Sequence, residues 1–507
     1  MRPLALALSL LALAWAVPNY PAAIPSWYNL FLATGGCLAL IRWTESARTG
    51  WLVMAGALGG LSFLFKLSGL FFLAGAGLFL LEATRPEPPT SAEGRRAWWL
   101  PLMITIGLGL FVLVLWRSIA PVHHPSVVLH LFAPVGLLAF SLAMREWLPP
   151  PVEAGARLNA LFKAVGPLVL GAAIPVGAAL GVAAAAGALD EVGTGVFAKP
   201  FRRLTFATWP PPDVYWLVAV VPLVLLLRPR SDHEAPAWRR RGLLGALLLE
   251  AALFAAAVHH LPHQFAWQAL RGLIPLLGLV VAVVLLAPSA RLAWPRERRL
   301  PAVLFASVAL TCSLVQFPFA SPIYFLYVAP LVFLAVAALV RGAGRTPRPL
   351  EAGVVGFYLA FGLLEVIPGA PIGLGVRYEG VARTRRLELG RGGLRLLAHD
   401  AAVYETVIPL IQRRAAGRPI WAGPDAPEVY FLSASPNPSR TLFEFLESDG
   451  VDGSALLEQL DRRGIRVVAI NRAPPFSPAP DPILLRALAL RFPGGPDTVG
   501  RFTVRWR

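Results

Sequence analysis

The sequence predicts a polytopic α-helical membrane protein that ends in a C-terminal α/β domain, and three observations lead to this fold class. Of its 507 residues, 56% are hydrophobic and only 15% are charged, whereas soluble domains carry about a quarter charged residues. The apolar residues form blocks of roughly 15 to 23 residues as far as Pro368, close to the length of a helix that crosses a bilayer. Residues 369–507 have the mixed composition of a soluble domain.

The apolar blocks predict thirteen membrane helices. They cover residues 3–17, 27–42, 51–65, 67–82, 98–117, 126–143, 164–187, 213–228, 242–260, 268–287, 301–316, 321–340 and 352–368. Several blocks are shorter than most membrane helices, so a re-entrant pair could replace two of them. The predicted domains are a transmembrane domain of residues 1–368 and a soluble domain of residues 369–507.

Basic residues are distributed unevenly between the loops that join these blocks. One alternating set of loops carries about 20 Lys and Arg residues, and the opposite set carries about five, which makes the first set cytoplasmic by the positive-inside rule. We therefore predict a bacterial inner-membrane protein with a cytoplasmic N-terminus and an extracytoplasmic C-terminal domain. Residues 1–17 also fit a secretory signal, since Arg2 precedes an apolar run, and that alternative leaves the topology unchanged.

The composition also argues against several classes of protein. The net charge is +17, but lysine is scarce and no basic stripe with interleaved aromatic residues occurs, so we exclude nucleic acid as a partner and expect membrane lipids instead. Cys37 and Cys312 each lie inside an apolar block, which predicts neither a disulfide framework nor a zinc site.

Charged side chains near the outer ends of the apolar blocks are candidate ligand contacts, because polar groups at membrane depth usually face a cavity or pathway. Lys66 lies inside a long apolar stretch. It either binds a lipid phosphate or only marks the outer turn of a helical hairpin. Arg202 and Arg203 could clamp a phosphate with bidentate hydrogen bonds, although a solvated basic pair fits equally well. Arg271 is a further candidate for phosphate binding.

Aromatic residues and histidines of the outer loops are candidates for lining a substrate cavity. They are Tyr28, His259, His260, His263 and Tyr324. His259 and His263 could share one helix face, but Pro262 lies between them and no acidic ligand is close. We therefore predict no metal site there, and interfacial or ligand-contacting roles stay open. The acidic pair Asp190 and Glu191 suits a helix end better than catalysis.

The C-terminal domain alternates predicted strands and helices. Strands are predicted in RRLELG, GLRLL, PIWAG, EVYFLSA, IRVVAINR and VGRFTVRWR, and helices in AAVYETVIPLIQRRAAG, SALLEQLDRRG and DPILLRALALRF. The run IRVVAI predicts a strand that is buried on both faces, as in an α/β sandwich. No GxGxxG, P-loop, GxSxG or HExxH motif occurs, so none of the activities that use those motifs is indicated.

The stretch from Pro25 to Leu81 resembles the middle helices of the C-type (GT-C) membrane glycosyltransferases, which include protein O-mannosyltransferase and aminoarabinose-transferase relatives. The shared features are an aromatic helix start, a basic inner turn, a small-residue helix and a lysine before the next apolar helix. Here they are Trp27 with Tyr28, Arg42, Ala55 through Leu61, and Lys66. SPIYFLYVAPLVFLAVAAL is similar to a late helix of the family, in which an extracytoplasmic α/β domain after the last helix is also typical.

This resemblance implies a GT-C-like fold and the transfer of a sugar from a polyprenyl-phosphate donor to a lipid, glycan or protein acceptor outside the membrane. It implies that cationic residues hold the donor phosphate, and that an acidic residue in the first outer loop acts as base or positions the acceptor or a metal. No cofactor is predicted, and a divalent metal stays open. No Asp or Glu precedes Glu45. We therefore expect the catalytic acid to lie upstream of Met1, in a segment missing from a truncated chain; a divergent or inactive member is the other explanation.

Two other classes of function remain as alternatives. One is a transporter, flippase or ligase of lipid-linked glycans, and the other is a non-catalytic homologue. A transporter predicts internal repeats, and a ligase predicts one very long outer loop between two helices. Neither feature is found in the sequence, which favours the glycosyltransferase.

Overall fold

A computed structural model of the chain describes twelve segments. They are residues 2–16, 24–85, 98–122, 124–148, 154–198, 208–221, 260–287, 294–343, 349–366, 384–439, 453–475 and 477–507. The chain divides into two compact units, of which the first comprises Met1–Val192 with Thr208–Ile367 and the second comprises Gly193–Ala207 with Pro368–Arg507.

The first unit is helical, and its helices follow the apolar blocks of the sequence. They are α1 (Arg2–Ala14), α2 (Pro25–Ser46), α3 (Gly50–Phe65), α4 (Leu70–Ala83), α5 (Trp99–Ile119), α6 (Pro125–Trp147), α7 (Ala154–Ala185), α8 (His260–Arg271), α9 (Leu273–Leu286), α10 (Arg296–Cys312), α11 (Ala329–Gly342) and α12 (Pro349–Val366). Short helical turns lie at Leu67–Gly69, Leu189–Gly193, Val214–Val220, Ser313–Gln316 and Pro322–Leu326. Within α6, the turn Val128–Phe132 is π-helical.

Five helical segments of the described residues are long and apolar enough to cross a membrane. They are Trp99–Ile119, Pro125–Trp147, Ala154–Ala185, Gln264–Leu286 and Arg296–Gln316. The chain is thus a mostly helical membrane protein, but the prediction of thirteen spans is not confirmed. The blocks at 51–65 and 67–82 form helices that are too short; α3, with 16 residues, is about 24 Å long against a hydrocarbon core of about 30 Å.

Two of the predicted spans cannot be compared in full with the structure. The block at 242–260 lies outside the described residues except for His260, where α8 begins. Of the block at 213–228, the described part forms the 3-10 helix Val214–Val220.

Helices α3 and α7 approach each other through glycines. A Cβ atom on Gly56 would lie 1.9 Å from the Leu168 carbonyl oxygen, and one on Gly171 would lie 2.1 Å from the Val53 carbonyl oxygen. Since neither position has room for a side chain, the two backbones are in direct contact. Such close packing of small residues is a common way to join membrane helices, where the hydrophobic effect does not drive association.

A group of ion pairs and of hydrogen bonds to backbone carbonyls connects the ends of α4, α6 and α9 to α7 and α10. We call it the arginine cluster, and its members are Glu82, Arg85, Arg145, Glu146, Arg157, Arg296 and Arg299. Glu82 forms ion pairs with Arg145 at 3.0 Å and with Arg299 at 2.8 Å, and Glu146 pairs with Arg157 at 2.5 Å.

The guanidinium groups of the arginine cluster also bind the last carbonyl groups of the helices. Arg157 donates to the Leu81 carbonyl at 2.6 Å, and Arg145 donates to the Leu285 carbonyl at 2.7 Å. Arginine at a helix C-terminus satisfies carbonyls that have no partner within the helix and complements the helix dipole. Three of the loops that the arginine count assigns to one side contribute to the cluster.

The second unit contains a four-stranded sheet in the order β3-β4-β6-β5, in which β3 and β4 are parallel and the other neighbours are antiparallel. Its strands are β3 (Ile420–Gly423), β4 (Val467–Asn471), β5 (Gly494–Val499) and β6 (Phe502–Trp506), and a separate antiparallel pair is formed by β1 (Thr384–Arg386) and β2 (Arg395–Leu397). The helices are α13 (Ala398–Ala415), α14 (Pro427–Ser433), α15 (Gly453–Arg462) and α16 (Pro482–Arg491).

Strand β4 is buried on both faces, as the run IRVVAI predicts. Val467 and Ala469 belong to the apolar core that contains residues of α13 and α14, whereas Val468 and Ile470 belong to the core that contains residues of α15 and α16. The strand predicted for EVYFLSA is wrong, because these residues form α14. Pro427 occupies the first turn of α14, where its fixed φ and missing N–H favour a helix.

Candidate functional site

Lys66 lies where α3 ends and α4 begins. Its amide N–H donates to the Ser62 carbonyl at 3.2 Å, and its own carbonyl accepts from the Gly69 amide at 2.8 Å. A Cβ atom on Gly69 would lie 2.2 Å from the Ser62 carbonyl carbon, so the chain folds back tightly at this point. Lys66 therefore marks the turn of a helical hairpin, as one of the two interpretations from the sequence requires.

The Lys66 ammonium group points at the first turn of α2 and at an aromatic ring. Nζ donates to Ser26 Oγ at 3.0 Å and lies 5.5 Å from the centroid of the Tyr324 ring. Ser26 is buried, at 2% exposure, and it lies in the first turn of α2, where the helix dipole contributes partial positive charge. We call Lys66, Ser26 and Tyr324 the Lys66 site.

Asn29 stabilises the hairpin turn that contains Lys66. In the amide orientation that satisfies its neighbours, Asn29 donates to the Ser62 carbonyl at 2.9 Å and accepts from the Gly69 amide at 3.2 Å. These hydrogen bonds connect α2 to both sides of the turn. The backbone that carries the ammonium group is therefore fixed relative to Ser26.

Aromatic side chains continue from the Lys66 site along the segment Phe317–Tyr327. Tyr327 packs on Trp27 with ring centroids 4.8 Å apart and on Tyr324 at 5.5 Å. Tyr28 has a different environment, because it is 44% exposed and stacks on Phe65 at 4.6 Å. Of the predicted cavity residues, Tyr324 thus lies beside Lys66, whereas Tyr28 lies on an exposed surface of α2.

Arg271 contacts the same segment as Lys66. Its Nη2 donates to the Ala320 carbonyl at 2.6 Å, and Ala320 precedes Tyr324 by four residues. The predicted phosphate-binding residues Lys66 and Arg271 are therefore brought to two points on one short stretch of chain.

Sequence reasoning missed His130, which faces the backbone and the charge of Arg271. His130 is 3% exposed and lies in the π-helical turn of α6. A histidine in the middle of the apolar run SVVLHLFAPVG was the signal that could have identified it, because π-helical turns and polar groups within membrane helices often occur at functional sites.

Several predicted residues cannot be assigned to this site. Arg202, Arg203 and His259 lie outside the described residues, and for His260 and His263 the structure describes only the backbone of α8. Asp190 and Glu191 are exposed in the first turn of the short helix Leu189–Gly193. Within the described part of the chain, no group of three or more His, Cys, Asp or Glu residues could hold a metal ion.

The second unit has its own polar cluster, at the carboxyl ends of the parallel strands β3 and β4. Asp425 accepts from the Ser477 amide at 2.6 Å and from Ser477 Oγ at 2.7 Å, and Asn471 Nδ2 donates to the Pro424 carbonyl at 3.0 Å. Ligands often bind at this edge of α/β sheets. Here, however, the polar groups hydrogen-bond to one another, which indicates that they connect loops.

Nearby, Tyr404, Glu428 and Arg501 form a triad. The Tyr404 hydroxyl donates to Glu428 Oε1 at 2.9 Å, and Arg501 pairs with the same oxygen at 2.8 Å. Burial raises the pKa of the Tyr404 hydroxyl, and the neighbouring Glu428 carboxylate raises it further. The tyrosine therefore acts as a neutral hydrogen-bond donor within this triad.

The Lys66 site combines a cationic group, a hydroxyl group, a helix start and aromatic rings at one end of a helical hairpin. A phosphate group attached to an apolar chain has the complementary chemistry, because ammonium and hydroxyl groups donate to phosphate oxygens. No protein-family model, curated protein or solved structure matches this chain.

Proposed function

We propose that this protein binds a sugar carried on a polyprenyl phosphate and transfers the sugar to a lipid, glycan or protein acceptor on the outer face of a bacterial inner membrane. The observation that supports this best is the Lys66 ammonium group, which lies 3.0 Å from Ser26 Oγ and beside Tyr324. The positive charge attracts the donor phosphate, and the aromatic rings provide a surface for the lipid.

In this proposal the fold is GT-C-like, and the arginine cluster lies at the cytoplasmic side. Helix α4 forms the second half of the hairpin. Lys66 lies shortly before its first residue and Glu82 lies in its last turn, so the two residues are at opposite ends of α4. Lys66 then lies on the outer side, together with Arg271 and Tyr324. The C-terminal unit is extracytoplasmic in the same orientation, since the basic loops set the direction of insertion.

The chemistry of the proposed reaction depends mainly on positioning. The leaving group is a phosphate that already carries negative charge, so catalysis requires orientation of the two substrates and stabilisation of the charge that develops. Lys66 supplies that positive charge, with Arg202 and Arg203 as further candidates. Tyr28, His259, His260 and His263 are candidates for lining the substrate cavity.

A binding measurement on the full chain in nanodiscs tests the phosphate site. Undecaprenyl phosphate is titrated against the wild type, Lys66→Ala and Lys163→Ala. Lys163 is a matched control because it is an exposed lysine on α7. A charge-assisted hydrogen bond contributes about 1.5–3 kcal/mol, so we expect Lys66→Ala to weaken binding by about tenfold or more. Equal affinities of the two variants would exclude Lys66 from the site.

A transfer assay then separates the proposed function from its alternatives. The donor is a polyprenyl-phosphate sugar, and the measurement is the release of free polyprenyl phosphate in the presence of membrane acceptors. Release that depends on Lys66 supports sugar transfer. Binding without release favours a non-catalytic homologue, and movement of the intact donor across a proteoliposome membrane favours a flippase.

A further inference from the structure

Arg271 is a buried cation in a membrane-spanning segment. The residue is 5% exposed, and it lies within the apolar helical segment Gln264–Leu286. The hydrogen bond from Nη2 goes to a neutral group, the Ala320 carbonyl, and Nε has no partner among the described residues. Burial of a charge is costly unless an opposite charge or hydrogen bonds compensate for it.

The arginine cluster shows how this protein compensates buried guanidinium groups elsewhere. Arg157, with 2% of its side chain exposed, pairs with Glu146, and Arg145, with 17% exposed, pairs with Glu82. In the described part of the chain, no carboxylate pairs with Arg271. The buried guanidinium group of Arg271 therefore requires an anion to compensate its charge, but the described residues around it supply only neutral groups.

Three further polar groups near Arg271 also have buried atoms without a hydrogen-bond partner among the described residues. They are Nε2 of His130, Oε1 of Gln268 and Oγ of Ser321. His130 faces Arg271, Gln268 lies one helical turn before it, and Ser321 follows Ala320, the residue that Arg271 binds. Buried polar atoms are almost always hydrogen-bonded, so unpartnered atoms on Arg271, on His130 that faces it, and on Gln268 and Ser321, which lie next to Arg271 or to its partner Ala320 along the chain, indicate a binding site for a polar ligand.

We infer that His130, Gln268, Arg271 and Ser321, which we call the Arg271 pocket, bind a phosphate group that carries hydroxyls. The guanidinium group donates hydrogen bonds to phosphate oxygens in a fixed fork. Oε1 of Gln268 and Nε2 of His130 accept hydrogen bonds from ligand hydroxyls, and Ser321 can donate or accept. This site is separate from the Lys66 site and does not depend on sugar transfer.

Two sources could provide such a ligand, a lipid headgroup and a soluble phosphate, and the experiment uses one probe for each. The full chain is placed in phosphatidylcholine nanodiscs and titrated with glycerol 3-phosphate. A parallel series replaces part of the phosphatidylcholine with phosphatidylglycerol. The measurements are the affinity for each probe and the thermal unfolding midpoint. Binding of either probe supports the pocket and identifies the source.

The principal variant is Arg271→Gln, which removes the charge and keeps hydrogen-bonding capacity. Its matched control is Arg117→Gln, because Arg117 is an exposed arginine in the last turn of α5. We expect Arg271→Gln to weaken binding by at least tenfold and Arg117→Gln to leave it unchanged.

Gln268→Glu provides a test even if Arg271→Gln does not fold. The new carboxylate lies one helical turn from Arg271, a spacing that allows an ion pair, and it takes the place of the ligand phosphate. We expect a higher unfolding midpoint without ligand and at least tenfold weaker binding of the probe. The inference is overturned if the wild type binds neither probe, or if Arg271→Gln or Gln268→Glu binds as tightly as the wild type.

Discussion

Glu82 holds Arg145 through two hydrogen bonds, from Nε to Oε2 at 3.0 Å and from Nη2 to Oε1 at 3.2 Å. The Glu82 side chain is only 1% exposed, and it also pairs with Arg299. One buried carboxylate therefore connects α4, α6 and α10. Such a pair differs from a surface ion pair, because removing one partner leaves the other charge buried without compensation.

The Glu82→Gln variant tests this connection. The glutamine has the same shape but no charge, so Arg145 and Arg299 lose their shared counter-ion. We expect a loss of about 3–5 kcal/mol in the free energy of unfolding, measured on the full chain by tryptophan fluorescence during thermal unfolding. The control is Glu45→Gln, whose exposed pair with Arg42 should contribute about 0–1 kcal/mol. Equal effects of the two variants would contradict the role of Glu82.

The contact between α3 and α7 predicts opposite effects for two glycines of one helix. Gly171→Ala places a methyl group 2.1 Å from the Val53 carbonyl oxygen, so the helices must separate, at a cost of about 1–3 kcal/mol. At Gly177, which is followed by an alanine, a Cβ atom would have no atom within 4 Å beyond its chain neighbours and its own helix backbone. Gly177→Ala should therefore stabilise α7 by up to about 1 kcal/mol. Unfolding midpoints that shift in the same direction would disprove the close approach.

The interactions of the Glu405 carboxylate predict that the second unit loses stability in acid. The Glu388 amide donates to Glu405 Oε1 at 2.9 Å, and Arg385 pairs with the other oxygen. The backbone hydrogen bond and then the arginine hold the pKa of the Glu405 carboxyl below its ordinary value. Because folding lowers the pKa of this carboxyl group, the ionised Glu405 stabilises the folded state. The stabilisation is fully present above the pKa of the carboxyl group in the unfolded chain, about 4.3. It disappears as the pH falls through the lower pKa of the folded state.

The measurement compares unfolding midpoints of the wild type and Glu405→Gln as a function of pH. The wild type should be more stable at neutral pH, and the difference should shrink below about pH 4. Arg385→Met, which keeps the Glu388 hydrogen bond, should show a smaller pH dependence than the wild type and a larger one than Glu405→Gln. Identical pH profiles of the wild type and Glu405→Gln would refute the assignment.

The hydrogen bonds between Asp425 and Ser477 connect two loops of the second unit. We expect the effects of mutating these two residues on the free energy of unfolding to be coupled. Asp425 is 2% exposed and accepts from both the amide and the hydroxyl of Ser477. Asp425→Ala leaves these buried donors without the carboxylate, which we expect to cost about 1–3 kcal/mol. A double-mutant cycle with Ser477→Ala measures the interaction directly, because coupled pairs are not additive. Strictly additive effects would show that the two side chains do not stabilise each other.

Much of the local structure could be predicted from the sequence. The apolar blocks predict the positions of α3, α4 and α10, and the break at Lys66 falls where α3 ends. In the second unit, the run IRVVAI contains β4. These features depend on composition within about one helix length, which the sequence displays directly. EVYFLSA is the exception, because short apolar runs do not distinguish a strand from a helix.

The candidate sites depended on contacts between distant parts of the chain. Lys66 and Ser26 are 40 residues apart, and Arg271 and Ala320 are 49 residues apart. His130 comes from α6, yet it faces Arg271 at the end of α8. No local pattern predicts such pairs, because they result from how whole helices pack against one another.

The sequence by itself determined that the chain is helical, apolar and followed by an α/β domain, because these properties follow from local composition and periodicity. Only the tertiary structure decided which charged groups are compensated. It pairs Glu82 with Arg145 and Glu146 with Arg157, but among the described residues it brings neutral groups alone to Arg271. The free energy of a buried charge depends on its neighbours in space, and packing selects those neighbours.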